Sequence, residues 1–366
     1  MEGMLSELDY LEPECYQLSI LEEFDRDYSP IQSITPGSPI EFFIKGADGL
    51  YVDLNNSKLE VRAKITLENG NKIPNNANVG PINNLLNALF MTAEMELGGV
   101  LLTDTNTKYP YRAYVENLIN FNKLIQETRM MCEGWTKDTA GHLTVYDITS
   151  TNAGLATRAA WFASGNVRTL IGRPHFDLFH QDRLIPPNID MKFRFLPSKN
   201  SFLVKSIAPA GTDPQIIYKV EILSARFFMK TKVVAPSLAL AQEKILQTKN
   251  FKIPYKRVTA KTLTIPTGTT SFESDNVYLG KIPDMIMLGL VSDANMSGGY
   301  QNNPFYFQHF GLNYLSLKAN GEQFPRLAYQ PDFANNEWLN YSNIPHFSSI
   351  FRLYKSLFHC LRSIRI

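Results

Sequence analysis

The densest set of side chains able to bind a metal or move a proton lies in Arg173-Pro174-His175-Phe176-Asp177-Leu178-Phe179-His180-Gln181-Asp182-Arg183. On an extended strand His175 and Asp177 share one face, as in two-histidine, one-carboxylate iron sites, and His180 or Asp182 would complete the set. An extended strand, however, does not return His180 to the same ion, and the interleaved Phe176, Leu178 and Phe179 suit packing. The block is therefore expected to be structural, with no metal site and no catalytic or cofactor-binding residue assigned. Cys132 has no adjacent base in sequence, and neither a glycine-flanked serine nor an SxxK motif appears. Gly98-Gly99 reads as a turn rather than a phosphate loop, which would need glycines between strand and helix ending in Lys-Ser or Lys-Thr. The aromatic run Pro304 to Phe310 could stack nucleic acid or sugar, but core or interface packing is the commoner use. Tyr109-Pro110-Tyr111-Arg112 reads as an extended turn before a helix, with Arg112 pairing across a subunit interface or capping surface charge.

With so little reactive chemistry, the elements themselves become the guide to function. The chain has 366 residues, 44% of them hydrophobic and 19% charged, with a net charge of +1. Two domains with real cores are expected, and nothing resembles the basic stripe that wrapping nucleic acid demands. Cys15, Cys132 and Cys360 have neither disulfide-framework nor zinc-knuckle spacing. The start lacks a basic-then-apolar signal pattern, so the protein is expected not to be secreted by that route, and no apolar run is long enough to span a bilayer.

Residues 1–37 read as an acidic N-terminal arm, since Glu2, Glu7, Asp9, Glu12, Glu14, Glu22, Glu23 and Asp25 precede the first base, Arg26; such an arm either ties subunits together or, equally, lies as a solvated end. Leu59, Val61, Ala63, Ile65 and Leu67 alternate with polar residues at period two, and Asn69-Gly70 then supplies a tight turn, which together predict a half-buried strand and hairpin. Ile189 to Phe195 alternates likewise, and Asn320-Gly321 follows a strand at Leu315 to Ala319. From Tyr218 to Val234 the alternation changes phase, which predicts a bulge near Leu223. Leu238 to Leu246 reads as a short helix after Pro236-Ser237, and Tyr111 to Phe121 and Asn152 to Ala163 as helices inside long connections. Many short strands with few helices argue for an all-β protein with a sandwich in each half.

Several blocks then resemble one family: SPIEFFIKGADGLYVDLNNSKLEVRAKI at Ser38 to Ile65, VGPINNLLNALF at Val79 to Phe90, NTKYPYRAYVENL at Asn106 to Leu118, GRPHFDLFHQDRLIPPNIDMKFRF at Gly172 to Phe195, NPFYFQHF at Asn303 to Phe310 and QPDF at Gln330 to Phe333. In order and spacing they resemble the double jelly-roll, hexon-like major capsid proteins of Polinton (Maverick) elements and adintoviruses. The resemblance implies tandem jelly rolls, a homotrimeric pseudo-hexagonal capsomer, lateral contacts with further capsomers, penton or minor capsid partners, and a place in the virion capsid after an intracellular stage. It makes the block around His175 structural, with Gln181-Asp182-Arg183 a turn held by charge-assisted hydrogen bonds.

On this reading residues 38–234 form the first jelly roll, 235–250 a linker helix, 251–335 a partial second jelly roll and 336–366 a divergent tail. The match stops near Asn335, so the second sandwich is expected to be incomplete, through a truncated or replaced C-terminus. In the tail, Phe347, Ile350, Phe351, Tyr354, Phe358, Leu361 and Ile364 recur at helical spacing opposite Arg352, Lys355, His359, Arg362 and Arg365, which reads as a basic amphipathic helix able to touch a membrane or an acidic partner, or as a foreign segment. Two other readings stay open: an endogenised, non-assembling relic, and a carbohydrate- or receptor-binding sandwich using exposed aromatics such as Trp135 or Tyr300.

Overall fold

The computed structural model describes residues 19–335 apart from 107, 208–216, 276, 278–282, 284 and 320–321, together with the strand segments 350–354 and 361–365. The strands are β1 (Ile20–Tyr28), β2 (Ile40–Ile44), β3 (Leu50–Leu67), β4 (Val79–Pro81), β5 (Phe90–Leu97), β6 (Val100–Asp104), β7 (Arg168–Gly172), β8 (Met191–Pro197), β9 (Val204–Ser206) and β10 (Tyr218–Val234). After them come β11 (Glu273–Asp275), β12 (Met285–Gly289), β13 (Leu315–Ala319), β14 (Glu322–Tyr329), β15 (Ile350–Tyr354) and β16 (Leu361–Arg365). Among the described residues the α-helices are short: α1 (Leu85–Ala88), α2 (Tyr109–Asn120), α3 (Lys123–Glu127), α4 (Ala153–Phe162), α5 (Asn200–Leu203), α6 (Pro236–Leu246) and α7 (Asp293–Ser297).

Two four-stranded sheets, β1-β10-β3-β7 and β2-β8-β5-β6, face each other as the first sandwich. Period two decides which side chains meet between them. Leu59, Val61, Ala63 and Ile65 of β3 are buried while Lys58 and Arg62 are exposed, and Met191, Phe193 and Phe195 of β8 point inward with them. The sheets meet where Phe227 of β10 stacks on Phe193 at 4.7 Å and Phe42 of β2 sets its edge 5.5 Å from Phe227. The phase change in β10 is a register shift between Ile222 and Ser224. A bulge there lets both halves of the strand present apolar residues to the core.

Several expectations are corrected. Asn69-Gly70 does form a turn, with Gly70 at φ 86, but the returning chain adds only a bridge between Thr66 and Lys72. β3 is instead paired along its length with β10 and, from Leu59 to Ala63, with β7, because these pairings satisfy more backbone groups than one local hairpin. Residues 1–18 of the acidic arm lie outside the described residues. Its remainder is not a solvated end, because β1 pairs with β10 from Ile20 to Tyr28. The acids are matched across the register: Glu23 lies 3.2 Å from Lys230 and 3.3 Å from Lys232, and Asp25 3.5 Å from Lys230. Lys232 also reaches Asp53 at 2.9 Å. Tyr109 and Pro110 open α2 rather than preceding it, since proline is tolerated in a first helical turn.

The second sandwich has the sheets β11-β16-β13-β14 and β12-β15. Asn320-Gly321 lies outside the described residues, but the strands on either side pair as an antiparallel hairpin. The expected amphipathic helix of the tail is not what is found: Ile350–Tyr354 pairs with β12, and Leu361–Arg365 pairs with both β11 and β13. Residues 336–349, 355–360 and 366 lie outside the described residues. A segment expected to be foreign to the fold therefore supplies strands to both sheets of the second sandwich. Helical spacing misled because short apolar runs fit either period, and open sheet edges nearby reward extension.

The small core of this sandwich is Val277, Ile286, Leu312, Leu315 and Leu317. Part of the chain after α6 belongs instead to the first core. Phe305 is buried and stacks on Tyr114 of α2 at 4.3 Å with rings nearly parallel. Asn303 Nδ2 donates to the Leu143 carbonyl, and the Tyr300 hydroxyl donates to the Tyr218 carbonyl. Phe305, with Phe307 packed beside it, is thus core packing that fastens the two halves together, whereas Phe310 at the end of the run is exposed.

Candidate functional site

The polar cluster with the most concentrated chemistry sits where α2 crosses the segment after β7. Helical spacing puts Arg112 and Glu116 on one face of α2, with Arg112 Nε 2.9 Å from Glu116 Oε1. The chain leaving Gly172 is not an extended strand: Asp177–His180 coils into a single 3-10 turn. This turn brings His175, Asp177 and His180 to that helix face. Arg112 Nη2 lies 2.7 Å from Asp177 Oδ1, His175 Nδ1 2.6 Å from Glu116 Oε2, and His180 Nε2 3.5 Å from the same oxygen. Asp177 also accepts from Thr103 Oγ1 at 3.3 Å and from the Val258 amide at 3.2 Å, so β6 and the chain beyond α6 are tied into the cluster.

Arg112 is therefore neither an interface residue nor a surface cap. It is buried between two carboxyl groups, which raise its pKa against the opposing effect of burial. Burial would push the Glu116 carboxyl up, but hydrogen bonds from His175 and His180 and the Arg112 charge hold it well below the usual carboxylate range. His175 goes the other way: desolvation lowers its pKa despite the Glu116 contact, so near neutrality it is a neutral ring donating Nδ1–H to an ionised carboxylate.

Beside the cluster, Glu133 is buried against β7, where a Cβ at Gly172 would collide with its side chain. Burial raises its pKa to about 7, opposed by Arg129, by an Asn87 hydrogen bond and by Arg173. Asn87 belongs to an amide network in which Asn84 Oδ1 accepts from Asn87 and Asn117, while the Tyr109 hydroxyl donates to Asn87 Oδ1. Gln181-Asp182-Arg183 is not the expected turn: Gln181 is extended (φ -135, ψ 156), and its neutral side-chain amide clamps Arg183, whose N donates to Gln181 Oε1 at 2.6 Å while Gln181 Nε2 donates to the Arg183 carbonyl at 2.7 Å.

The other candidates come apart. Trp135 is buried, with its ring 5.1 Å from Tyr114, and Tyr300 is half-buried against the core, so neither is an exposed platform for sugar. Cys132 is exposed and unpaired. His309 stacks on Phe333 at 4.1 Å, bringing together the two last blocks of the sequence resemblance. The exposed apolar side chains include Leu238, Leu240, Ile245 and Leu246 of α6, Val100 and Leu101 at the β5–β6 hairpin, and Leu124 of α3. Among the described residues no helix is long and apolar enough to cross a membrane.

Tandem sandwiches with short helices confined to connections define an all-β, double jelly-roll protein. The arrangement is similar to the PBCV-1 virus capsid, in its quasi-atomic model (TM-score 0.57, 8% identity, 97% of this chain and 86% of that one). It is also similar to the Faustovirus major capsid protein (TM-score 0.57, 9% identity, 100% and 88%) and to a chain of the Sputnik virophage structure (TM-score 0.55, 11% identity, 100% and 85%). In sequence the chain is 23% identical over 310 residues to an uncharacterized protein of Caenorhabditis elegans, covering 82% of this chain and 70% of that one. No protein-family model matches the chain.

Proposed function

We propose that this protein is a structural, non-enzymatic shell subunit of the Polinton/Maverick and adintovirus kind, a major capsid protein resident in a virion. Three copies would form a pseudo-hexagonal capsomer, with residues 38–234 as first jelly roll, α6 as linker and the chain from residue 251 as second. The observation that carries this reading is the tandem sandwich architecture, shared over nearly the whole chain with the capsid proteins above. Exposed apolar side chains on α6 and at the β5–β6 hairpin support it, since a closed ring of subunits covers such patches on every copy. Light scattering on the size-excluded protein tests it: the expected mass is three times the 41.5 kDa of one chain. A monomer that persists at high concentration refutes the reading.

A further inference from the structure

We propose that Glu116, His175 and His180 form a binding site for a divalent transition-metal ion of the zinc class. Two imidazoles and a carboxylate are a donor set that suits such ions. Glu116 Oε2, His175 Nδ1 and His180 Nε2 all lie within 4.8 Å of one another. Ligands at about 2.0–2.1 Å from a tetrahedral zinc stand about 3.3 Å apart. The observed 2.6 Å from Glu116 to His175 and 3.5 Å from Glu116 to His180 bracket that spacing, and with His175 and His180 within 4.8 Å of each other loading asks the two imidazoles to draw in around the ion. Among the described residues, no other set of three His, Cys, Asp or Glu side chains converges in this way.

The surroundings orient the donors. Arg112 holds Glu116 Oε1, leaving Oε2 for a single bond to the ion, and Asp177 fixes Arg112 from its other side. Outer contacts of this kind set ligand direction in metal sites. His175 is buried, whereas the His180 side chain is 26% exposed, which gives an ion its entry path. The ion takes the place of the proton between His175 and Glu116, and the His175 ring then carries its proton on Nε2. One contact must change: Arg173 Nη2 lies 3.3 Å from His180 Nδ1, a nitrogen that becomes an N–H donor once Nε2 is a ligand. Arg173 would turn away while keeping Nη1 on Asn55. A bound ion would staple α2 to the 3-10 turn, next to the point where Val258 meets Asp177. The proposal is independent of the capsid reading and survives its failure.

The test uses the full chain stripped of metal by chelation. Titration with cobalt(II) is expected to give one equivalent with the visible absorption of a four- or five-coordinate ion, displaced by zinc, and zinc is expected to raise the melting temperature. His180→Ala, at the exposed edge of the cluster, should fold, lose the absorption and bind zinc more than about tenfold more weakly. His309→Ala should behave as wild type. No stoichiometric cobalt spectrum, or one unchanged by His180→Ala, overturns the proposal.

Discussion

Replacing Glu133 with glutamine makes the protein more stable at alkaline pH and leaves it nearly unchanged in mild acid. The carboxyl is buried and its pKa stands at about 7 instead of 4.5. Between those values the folded state keeps a proton that the unfolded chain has released, so stability falls as pH rises from 4.5 to 7 and the loss is constant above. The full penalty on the ionised folded form is about 3 kcal/mol. Glutamine is isosteric, never ionises, and can still accept from Asn87, which lies 3.4 Å from Glu133 Oε2. The difference in unfolding free energy, Glu133→Gln minus wild type, should therefore be under about 1 kcal/mol at pH 5 and grow to about 3 kcal/mol at pH 8. Urea titrations at about pH 5 to 9 measure it, with the fluorescence of the buried Trp135 as signal, and the difference cancels every other titrating group. A difference that is flat with pH, or that grows toward acid, refutes the assignment of a buried, proton-holding carboxyl.

Arg112→Met should destabilise the chain by about 3–5 kcal/mol, because it strands the buried carboxyl group of Asp177 and the half-buried one of Glu116 without their shared cation; an effect below about 1 kcal/mol in urea denaturation would mean that water already reaches the cluster. Gly134 sits at φ 80, where an added Cβ would lie 2.9 Å from the Leu85 Cβ, so Gly134→Ala should lower stability by more than the roughly 1–2 kcal/mol of left-handed backbone strain alone. A loss no larger than that strain, measured by urea denaturation, would show that α1 can move aside.

The fold was legible wherever one face of an element is wet. β3 and β8 announce themselves by alternation because Lys58, Glu60, Arg62 and Arg194 must stay at the surface while their neighbours go in. β10 declares even its bulge, because an extra residue inverts the alternation, and Ile222 to Ser224 is where the register shifts. Legibility fails where partners are remote. The turn at Asn69-Gly70 encodes a reversal, but whether a strand pairs with its neighbour or with the distant β10 depends on which pairing buries more. β1 looked like a solvated arm because its acids were counted without the lysines they face, and Lys230 and Lys232 become its partners only through the sheet. The tail failed for a related reason: its apolar residues fit either period, and the choice belongs to β11, β12 and β13, whose open edges no local pattern contains.

The polar cluster shows the same limit more sharply. The residue block stood out in the sequence but was set aside as structural, because the extended backbone expected there would have kept His175, Asp177 and His180 apart, whereas in the fold they converge. A 3-10 turn at Asp177–His180 removes that obstacle by curling His180 back until its ring centre lies 5.8 Å from that of His175. Glu116 was invisible as a partner because 59 residues separate it from His175, and its spacing from Arg112 reads as an ordinary helix-surface ion pair. Burial changes its meaning: an exposed Arg–Glu pair contributes little, whereas here the guanidinium must also answer Asp177 and the carboxylate two imidazoles. Each group is tolerable in the interior only because the others are present. A cluster so interdependent reports on the docking of α2, β6, the 3-10 turn and the chain at Val258, which is why a single charge removed from Arg112 should be felt across four elements and not at one.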